Sequence, residues 1–310
     1  MSARIESGVD RLPARVDVLV LGSGAAGLVA ALRAADAGAS VCIAEKASLL
    51  GGTTSVGGGV MWAPATSRAR AGGFDDSAEQ AVAYLTAASG HVMDDETIEW
   101  YVRTAAEAVD YLLTQTRVSL TALARPDYRG EWPGAAAGGR SLDNDPFDPA
   151  DIPGLADALR PSSYFPLLTM AERDELNGGA PSAELLDERR RHGVRTMGGA
   201  LVGSLAASAL DRGIPIVTEA RAGSLRRNGE EWDVGFDSVT VGAHSVVVAT
   251  GGFEWNARLR DAFLAFPITP ISAPSNEGDG LEMGLTAGAS RRRHDRDLGR
   301  SGARAADSAV

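Results

Sequence analysis

The feature that most constrains this chain is a glycine-rich turn at residues 22–27, which reads G-x-G-x-x-G. An apolar run, Val16–Leu21, precedes the turn, and an alanine-rich segment follows it as far as Gly38. A second apolar run, Val41–Ala44, comes next. Uniformly apolar runs are typical of buried parallel strands, and glycines at this spacing let a backbone approach a pyrophosphate closely. The sequence therefore predicts a strand–helix–strand unit that binds a dinucleotide.

An acidic residue, Glu45, directly follows the second apolar run. A carboxylate at the end of this strand can accept hydrogen bonds from both hydroxyls of an adenosine ribose. It also repels a 2′-phosphate, so NADP is disfavoured, whereas NAD and FAD both remain open at this point. A chance glycine pattern is the competing interpretation, but strand, helix, second strand and acid all fall in the expected order.

Composition excludes several functional classes. The net charge of -11 and the isoelectric point of about 4.9 disfavour nucleic-acid binding, because an acidic surface repels phosphates. The single cysteine, Cys42, cannot form an internal disulfide, so we expect a cytoplasmic protein and a buried strand thiol. No apolar run reaches the roughly 20 residues of a membrane span. The four histidines show no paired spacing, so no metal site is expected.

Further glycine clusters favour a flavin over a nicotinamide. Residues 51–59 read GGTTSVGGG, just past the second strand, and Thr250-Gly251-Gly252 follows another apolar strand. A flavin must lie along backbone that offers N–H groups and small hydroxyls, whereas a nicotinamide-binding unit has no need of such a loop. A merely flexible loop is the alternative at 51–59. Asp279, which precedes a helix-like run, either caps that helix or faces the cofactor.

The remaining patterns predict secondary structure along most of the chain. A capping box of Ser77 and Gln80 starts one helix, which runs to about Ala88, and Asp94-Asp95 starts a second. A further helix is predicted over 199–212 and a strand over 214–218. Residues 223–250 read as short antiparallel strands with a hairpin turn at Asn228-Gly229, and residues 125–166 as irregular.

Together these motifs resemble the fumarate reductase/succinate dehydrogenase flavoprotein superfamily. Its 3-ketosteroid Δ1-dehydrogenase-like branch is most similar, because of Trp62-x-Pro64 after the glycines, Arg125-Pro126-Asp127-Tyr128, and the GGRSL stretch at 138–142. The resemblance covers residues 15–289. It implies an α/β fold, namely a Rossmann-like domain of glutathione-reductase type with a parallel sheet, helices and a small antiparallel β-meander.

The resemblance also implies non-covalent FAD and a set of residues that bind it. Where the branch usually has a serine before the glycine pair, this chain has Gly57, so one expected hydroxyl is absent. The implied cofactor-binding residues are Gly22, Ser23, Gly24, Ala25 and Gly27 at the pyrophosphate, Glu45 at the ribose, and Lys46, Gly52, Thr53, Thr54, Gly58, Gly59, Ala222, Ala249, Thr250, Gly251 and Asp279 along the rest.

The implied activity is steroid metabolism by an FAD-dependent dehydrogenase. Relatives of this branch pass a hydride to the flavin and remove a proton beside a ketone, assisted by tyrosines. Tyr128 falls near one such tyrosine, although a packed loop tyrosine is an equal interpretation. The expected partners are a small-molecule substrate, which a steroid would satisfy, and an unidentified electron acceptor. The alternatives are a fumarate-reductase-like flavoprotein acting on an activated C=C bond and a non-catalytic flavin-binding fragment.

The chain is predicted to have three parts. Residues 1–14 are expected to form a flexible leader, 15–289 the FAD-binding domain, and 290–310 a disordered arginine-rich tail. Relatives continue past the Gly278-Asp279-Gly280 stretch into a capping domain, which is largely missing here, so the resemblance implies an incomplete copy.

Overall fold

The computed structural model of the chain describes residues 4–90, 92–162 and 164–289. Within these ranges the strands are β1 (Ile5–Ser7), β2 (Arg15–Leu21), β3 (Val41–Ala44), β4 (Met61–Trp62), β5 (Leu120–Ala122), β6 (Ser141–Asn144), β7 (Ile216–Thr218), β8 (Ser224–Asn228), β9 (Glu231–Gly235) and β10 (Thr240–Val248). The helices are α1 (Ala25–Asp36), α2 (Gly52–Val56), α3 (Ser67–Ala71), α4 (Ala78–Ser89), α5 (Asp95–Gln115), α6 (Leu155–Ala158), α7 (Met170–Glu175), α8 (Ala183–His192), α9 (Met197–Asp211), α10 (Ala257–Phe263) and α11 (Asp279–Thr286).

Seven strands form the main sheet in the order β1-β7-β3-β2-β10-β9-β8. The first five are parallel to their neighbours, whereas β10, β9 and β8 form an antiparallel meander. The predicted α/β fold with a parallel sheet and a small meander is confirmed. The hairpin predicted at Asn228-Gly229 joins β8 to β9, and Gly229 has the positive φ that such a turn requires.

The carboxyl ends of the three central strands are flush. Leu21 of β2 is paired with Ala44 of β3 and with Val248 of β10. The residues that follow these three therefore leave the sheet side by side at one edge, where ligands of open α/β sheets collect.

The side chains of the central strands alternate between two hydrophobic cores. Val20 and Ile43 belong to the core that includes α1 and α9, whereas Leu19 and Cys42 belong to the core that includes β9 and α11. This alternation follows from the period of two in a strand, and both faces of the sheet are covered, as the apolar runs predict. Cys42 is fully buried, which confirms its interpretation as a strand residue.

Helix starts were well predicted by their capping residues. The Ser77 hydroxyl accepts a hydrogen bond from the Gln80 amide at the start of α4, and the Asp94 carboxylate accepts one from the Thr97 amide at the start of α5. The helix predicted over 199–212 is α9, which begins two residues earlier than expected.

A second sheet, in the order β4-β6-β5, was not predicted. Strand β6 lies inside the segment expected to be irregular, and the glycine-rich segment expected to be a loop contains α2. These elements are only two to five residues long, and β6 contains Ser141 and Asp143 rather than an apolar run. Their pairing joins segments far apart in the chain, so no local pattern announces it.

Part of the segment predicted as a leader, residues 1–14, forms a strand. Strand β1 pairs in parallel with β7, and the amide of Gly8 donates to the carbonyl of Thr218 at 3.0 Å. Backbone hydrogen bonds therefore tie this part of residues 1–14 to the sheet edge. The predicted arginine-rich tail, 290–310, lies outside the described residues. None of the helices in the described ranges combines the length and apolar character needed to cross a bilayer.

Candidate functional site

A cleft opens at the carboxyl edge of β2, β3 and β10. It brings together three glycine segments that are far apart in the chain, at 22–24, 52–54 and 249–251. The predicted cofactor residues that line it are Gly22, Ser23, Gly24, Ala25, Glu45, Lys46, Gly52, Thr53, Thr54, Ala222, Ala249, Thr250, Gly251 and Asp279. One extended ligand can therefore touch all three segments at once.

Close backbone packing explains two of the glycines in the turn. A Cβ on Gly22, which has a φ of 107°, would lie 2.4 Å from the carbonyl oxygen of Ala249. A Cβ on Gly27 would lie only 2.0 Å from the carbonyl oxygen of Gly22. Gly27 is buried and does not line the cleft, so its contribution is to let α1 pack against the turn.

The Ser23 side chain joins the turn to Glu45, at the end of β3, and to Gly51, just before α2. Its hydroxyl donates to Glu45 Oε2 at 2.6 Å and accepts from the amide of Gly51 at 3.0 Å. The Ser23 amide also donates to Glu45 Oε2, at 3.0 Å, and the Ala47 amide donates to Oε1 at 2.9 Å. Ser23 and Glu45 are both buried, so this network fixes the carboxylate before any ligand arrives.

Two threonines of α2 brace neighbouring segments. Thr54 Oγ1 accepts from the amide of Ala25 at 3.2 Å, at the start of α1. Thr53 Oγ1 accepts from Asn276 Nδ2 at 2.9 Å and from the amide of Ala273 at 3.2 Å. The hydroxyls predicted for a cofactor therefore also hold α1 and the segment before α11 around the cleft.

Four charged side chains form a network where β3 meets α11. Lys46 Nζ lies 2.8 Å from Glu277 Oε2 and 3.0 Å from Asp279 Oδ2, and Arg221 lies 2.8 Å from Asp279 Oδ1. Asp279 is the first residue of α11 and makes no side-chain cap, whereas Gly278 occupies the N-cap position. Of the two alternatives for Asp279, the structure favours a position facing the cleft.

Comparison with known proteins identifies the family of this chain and its cofactor. Residues 17–296 match the family described as FAD binding domain. A 4-oxocyclohexanecarboxylate 2-dehydrogenase of Sinomonas cyclohexanicum is 39% identical over 290 residues, covering 89% of this chain and 50% of that protein. This chain belongs to the FAD-binding domain family. Its cofactor is FAD.

Further similarities place the chain within that family. A 3-oxosteroid 1-dehydrogenase of Mycobacterium tuberculosis (strain ATCC 25618 / H37Rv) is 30% identical over 296 residues, covering 86% of this chain and 53% of that protein. The 3-ketosteroid Δ1-dehydrogenase structure from Sterolibacterium denitrificans superposes with a TM-score of 0.78 at 28% identity, over 90% of this chain and 56% of that one. The predicted resemblance and its ketosteroid branch are confirmed. The chain spans about half the length of the curated relatives it matches.

The residues of the cleft fit FAD. Helix α1 starts at Ala25, and its N-cap Gly24 has no side chain to occupy the first-turn N–H groups, which suits a pyrophosphate. A Cβ on Gly52 would meet nothing within 4 Å, so the backbone is open there. Glu45 Oε1 has a lone pair beyond the bond it accepts from Ala47, and that lone pair suits a ribose hydroxyl.

The other predicted cofactor glycines, Gly58 and Gly59, lie beyond the cleft lining. A Cβ on Gly59 would come within 2.5 Å of the backbone of Gly198, so this glycine lets the loop pack on the start of α9. Asn144 Nδ2 donates to the Gly59 carbonyl at 2.8 Å and fixes the same loop. A Cβ on Gly58 would lie 3.2 Å from Met170 Cε. Contact of these two glycines with the cofactor stays a prediction.

Tyr128, the predicted catalytic residue, is fully exposed and does not line the cleft. The residue before it is buried and held firmly. Trp62 Nε1 donates to Asp127 Oδ1 at 2.8 Å, and the amide of Ala136 donates to Asp127 Oδ2 at 2.9 Å. The tyrosine ring therefore projects from an anchored backbone, and its catalytic role stays a prediction.

Three residues that carry the ketosteroid resemblance, Trp62, Asp127 and Arg140, come together with Asp76 in a group that we call the Arg140 cluster. Arg140 is 1% exposed. It donates from Nε and Nη2 to Asp76 Oδ1, at 3.0 and 2.7 Å, and from Nη1 to Asp127 Oδ2 at 2.8 Å. Its guanidinium lies 5.6 Å from the ring of Trp62. The cluster ties the loops before α4 and after β5 to the second sheet.

Sequence reasoning missed several residues that line the cleft. Most are apolar or small neighbours of predicted residues, which carry no chemical signal of their own. The exception is Asn276, whose amide nitrogen also donates to Glu254 Oε1 at 2.8 Å. The missed residues are Leu21, Ala26, Ala44, Ala220, Val248, Ser275, Asn276, Gly280, Leu281 and Met283.

Proposed function

We propose that this protein is an FAD-dependent dehydrogenase that introduces a C=C bond beside the ketone of a six-membered ring. The observation that carries the proposal is the convergence of the three glycine segments and Glu45 on one extended cleft. The reaction type is inferred from the activities of the relatives rather than from the whole set of reacting residues, because the chain spans only about half of the relatives' length.

The names of the relatives share one chemical relationship. In 4-oxocyclohexanecarboxylate 2-dehydrogenase and in 3-oxosteroid 1-dehydrogenase, the named carbon lies two ring positions from the oxo carbon. Both reactions therefore act on the bond between the carbons α and β to a ring ketone, whose carbonyl makes the α proton removable. We therefore propose that the present chain acts on the same bond of a ring ketone, and we do not name a particular steroid as its substrate.

The chain's own residues would divide the work as follows. Glu45 would hold the adenosine ribose, and the start of α1 would hold the pyrophosphate, with the remaining cleft residues along the rest of the cofactor. When bound, FAD supplies the hydride acceptor. Tyr128 would accept the α proton or donate to the ketone oxygen, a role for which its exposed hydroxyl is accessible.

The single cysteine, in its reduced and buried form, supports a cytoplasmic location.

Two measurements on the purified chain test the proposal. Absorbance with flavin maxima, together with saturable quenching of added FAD fluorescence, tests the cleft. Reduction of an artificial electron acceptor with 4-oxocyclohexanecarboxylate, with cyclohexanone or with a 3-oxosteroid tests the reaction. We expect flavin binding and turnover of at least one ring ketone.

The possible failures separate the alternatives. Flavin binding without turnover of any ketone would favour a non-catalytic flavin-binding fragment. Oxidation of reduced flavin by an activated alkene, without ketone turnover, would favour a fumarate-reductase-like activity. Absence of flavin binding would overturn the assignment of the cleft.

A further inference from the structure

A second pocket lies between the loop that follows β5 and helix α7. Its lining includes three charged residues, Arg125, Arg173 and Asp174. Its other walls are apolar and include Leu168, Met170 and Leu176. The pocket therefore combines a surface that suits a hydrocarbon ring with a charged end that suits a polar substituent.

The charged end is cationic overall. Arg125 donates from Nε to Asp174 Oδ2 at 2.7 Å and from Nη2 to the other oxygen, so the pair is bidentate. In this geometry Nη1 makes no hydrogen bond to any described residue and both of its N–H groups remain for a ligand. Arg173 is exposed, and its guanidinium lies 5.9 Å from the centre of the Phe165 ring. Among the described residues this guanidinium makes no hydrogen bond and no ion pair within 4 Å, although its charge favours the ionised form of Asp174. The lining therefore holds two arginines and one carboxylate, Asp174, in a chain whose net charge is -11. The buried Asp143, outside the lining, also interacts electrostatically with Arg125.

The apolar wall joins this pocket to the loop predicted to hold the flavin. Met170 lines the pocket, and its Cε would lie 3.2 Å from a Cβ on Gly58. The start of α7 is fixed from behind, because the buried Asp143 Oδ2 accepts from the amides of Met170 and Ala171 at 2.6 and 3.0 Å. A ring bound against Met170 therefore lies next to the glycine loop, in a pocket whose floor is rigid.

We infer that this pocket binds the carboxylate-bearing end of a ring ketone acid, with Arg125 and Arg173 holding the carboxylate and Met170 contacting the ring. The inference rests on the proposed function and narrows its substrate class to an anionic, single-ring ketone. A neutral steroid has no group that would use the two arginines. Arg125 is then a specificity-determining residue, and the ketone end of the substrate points towards the glycine loop.

Calorimetric binding to the full chain loaded with FAD tests the inference with three probes. Cyclohexanecarboxylate presents ring and carboxylate, cyclohexanone presents the ring and ketone, and acetate presents the carboxylate alone. We expect cyclohexanecarboxylate to bind more tightly than either of the others. In Arg125→Gln its Kd should rise about 10-fold or more, because charge-assisted hydrogen bonds are lost. Arg173→Gln should show a smaller rise.

The matched control is Arg190→Gln. Arg190 also forms a surface pair with an aspartate, Asp187, but lies on α8 outside the pocket. Its substitution should leave all three Kd values unchanged, and circular dichroism checks that each variant is folded.

Several outcomes would overturn the inference. Equal binding of cyclohexanecarboxylate by wild type and by the Arg125→Gln/Arg173→Gln double variant would exclude the site. Binding of acetate as tight as that of the ring acid would reduce it to a general anion site. Turnover of a neutral ring ketone that is insensitive to Arg125→Gln, with no binding of the acid, would leave the dehydrogenase proposal standing and remove this one. Binding of the acid without turnover of any ketone would leave the binding pocket standing and would remove the dehydrogenase proposal.

Discussion

The FAD cleft and the Arg140 cluster hold polar groups in opposite ways. Around the glycine turn, the cleft is built from backbone, small hydroxyls and one buried carboxylate, Glu45, whose partners are N–H and O–H donors rather than a cation. The Arg140 cluster consists of full charges that satisfy one another in the interior. The cleft leaves hydrogen-bonding capacity open towards a ligand, whereas the Arg140 cluster uses its capacity internally.

This difference shows that the motifs of the cleft and those of the Arg140 cluster carry different kinds of information. The glycine turn and Glu45 line the cleft that is predicted to hold FAD, so these motifs point to a ligand. Trp62, Asp127 and Arg140 also belong to a family resemblance, yet their polar atoms are engaged in holding loops on the second sheet. Their presence reports a shared scaffold, whereas Tyr128, in the same stretch of sequence, is fully exposed.

The largest expected effect comes from breaking the Arg140 cluster. Arg140→Met keeps much of the side-chain volume but leaves Asp76 and Asp127 buried without a counter-charge, which costs about 3–5 kcal/mol. Urea unfolding should show this loss, while the FAD Kd of the folded fraction should stay within about 2-fold.

The exposed pair of Arg190 and Asp187 provides the control for that experiment. Arg190→Met should change stability by no more than about 1 kcal/mol. If Arg140→Met weakened FAD binding by the folded protein more than 10-fold, the two regions would be coupled and the contrast between them would fail.

Whereas Arg140→Met should mainly lower stability, a methyl group at Gly27 should mainly lower the affinity of the cleft for FAD. A Cβ there would lie 2.0 Å from the carbonyl oxygen of Gly22, so the turn must move. We expect Gly27→Ala to cost about 1–3 kcal/mol of stability and to weaken FAD binding at least 10-fold, as measured by flavin fluorescence. Gly130→Ala is the control, since a Cβ at Gly130 would meet nothing within 4 Å. Unchanged FAD affinity in Gly27→Ala would show that the turn does not position the cofactor.

The buried carboxylate of Asp143 belongs to neither region and gives a pH-dependent test. Burial raises the pKa of Asp143, against the opposing effect of the Ala171 and Met170 amides, and its Oδ1 has no hydrogen-bond partner among the described residues. A raised pKa means that the folded state holds the proton more tightly than the unfolded chain does. The contribution of this group is therefore most favourable below the unfolded pKa of about 3.9 and is lost as pH rises through the folded pKa.

Replacement by the isosteric amide removes this titration. The Tm of Asp143→Asn should exceed that of wild type at pH 7, and the difference should shrink as the pH is lowered towards 4. Scanning calorimetry across this range measures the trend. A difference that grew on acidification would mean that the carboxylate is stabilised, not destabilised, by its surroundings.

The smallest effect is expected at Cys42. Burial raises the pKa of this thiol to about 12, and the side chain is fully enclosed in the sheet. A thiol reagent at pH 8 should therefore label the native protein negligibly and the urea-unfolded protein once per chain. Rapid labelling of native protein would show that the sheet opens locally at β3.

The sequence allowed the cleft to be predicted better than the second sheet. The glycine turn, the two apolar runs and Glu45 are close together in the chain, and the caps at Ser77 and Asp94 are local signals. The Arg140 cluster joins positions from 62 to 140, and no spacing rule links them. The short strands β4, β5 and β6 form by pairing between segments that are far apart in the chain, so the sequence of each strand alone does not predict it.

Local patterns also could not show what each glycine does. The third glycine of the turn, Gly27, is expected to pack helix against strand as well as to lie at the pyrophosphate. Gly59, by contrast, is expected only along the cofactor, yet a Cβ there would come within 2.5 Å of the Gly198 backbone. A glycine needed for packing and one needed for a ligand look the same in a sequence, because both lack a Cβ. Only the neighbouring atoms distinguish them.

The flush ends of β2, β3 and β10 make flavin binding a reporter of strand alignment. A slip of one residue in any of these strands would shift the following binding group by about 3.3 Å and turn side chains to the opposite face. A misaligned sheet could still bury hydrophobic surface, yet it could not present the turn, the acid and the strand exit together. The yellow colour of a bound flavin would therefore distinguish the correctly registered chain from a compact but misfolded one.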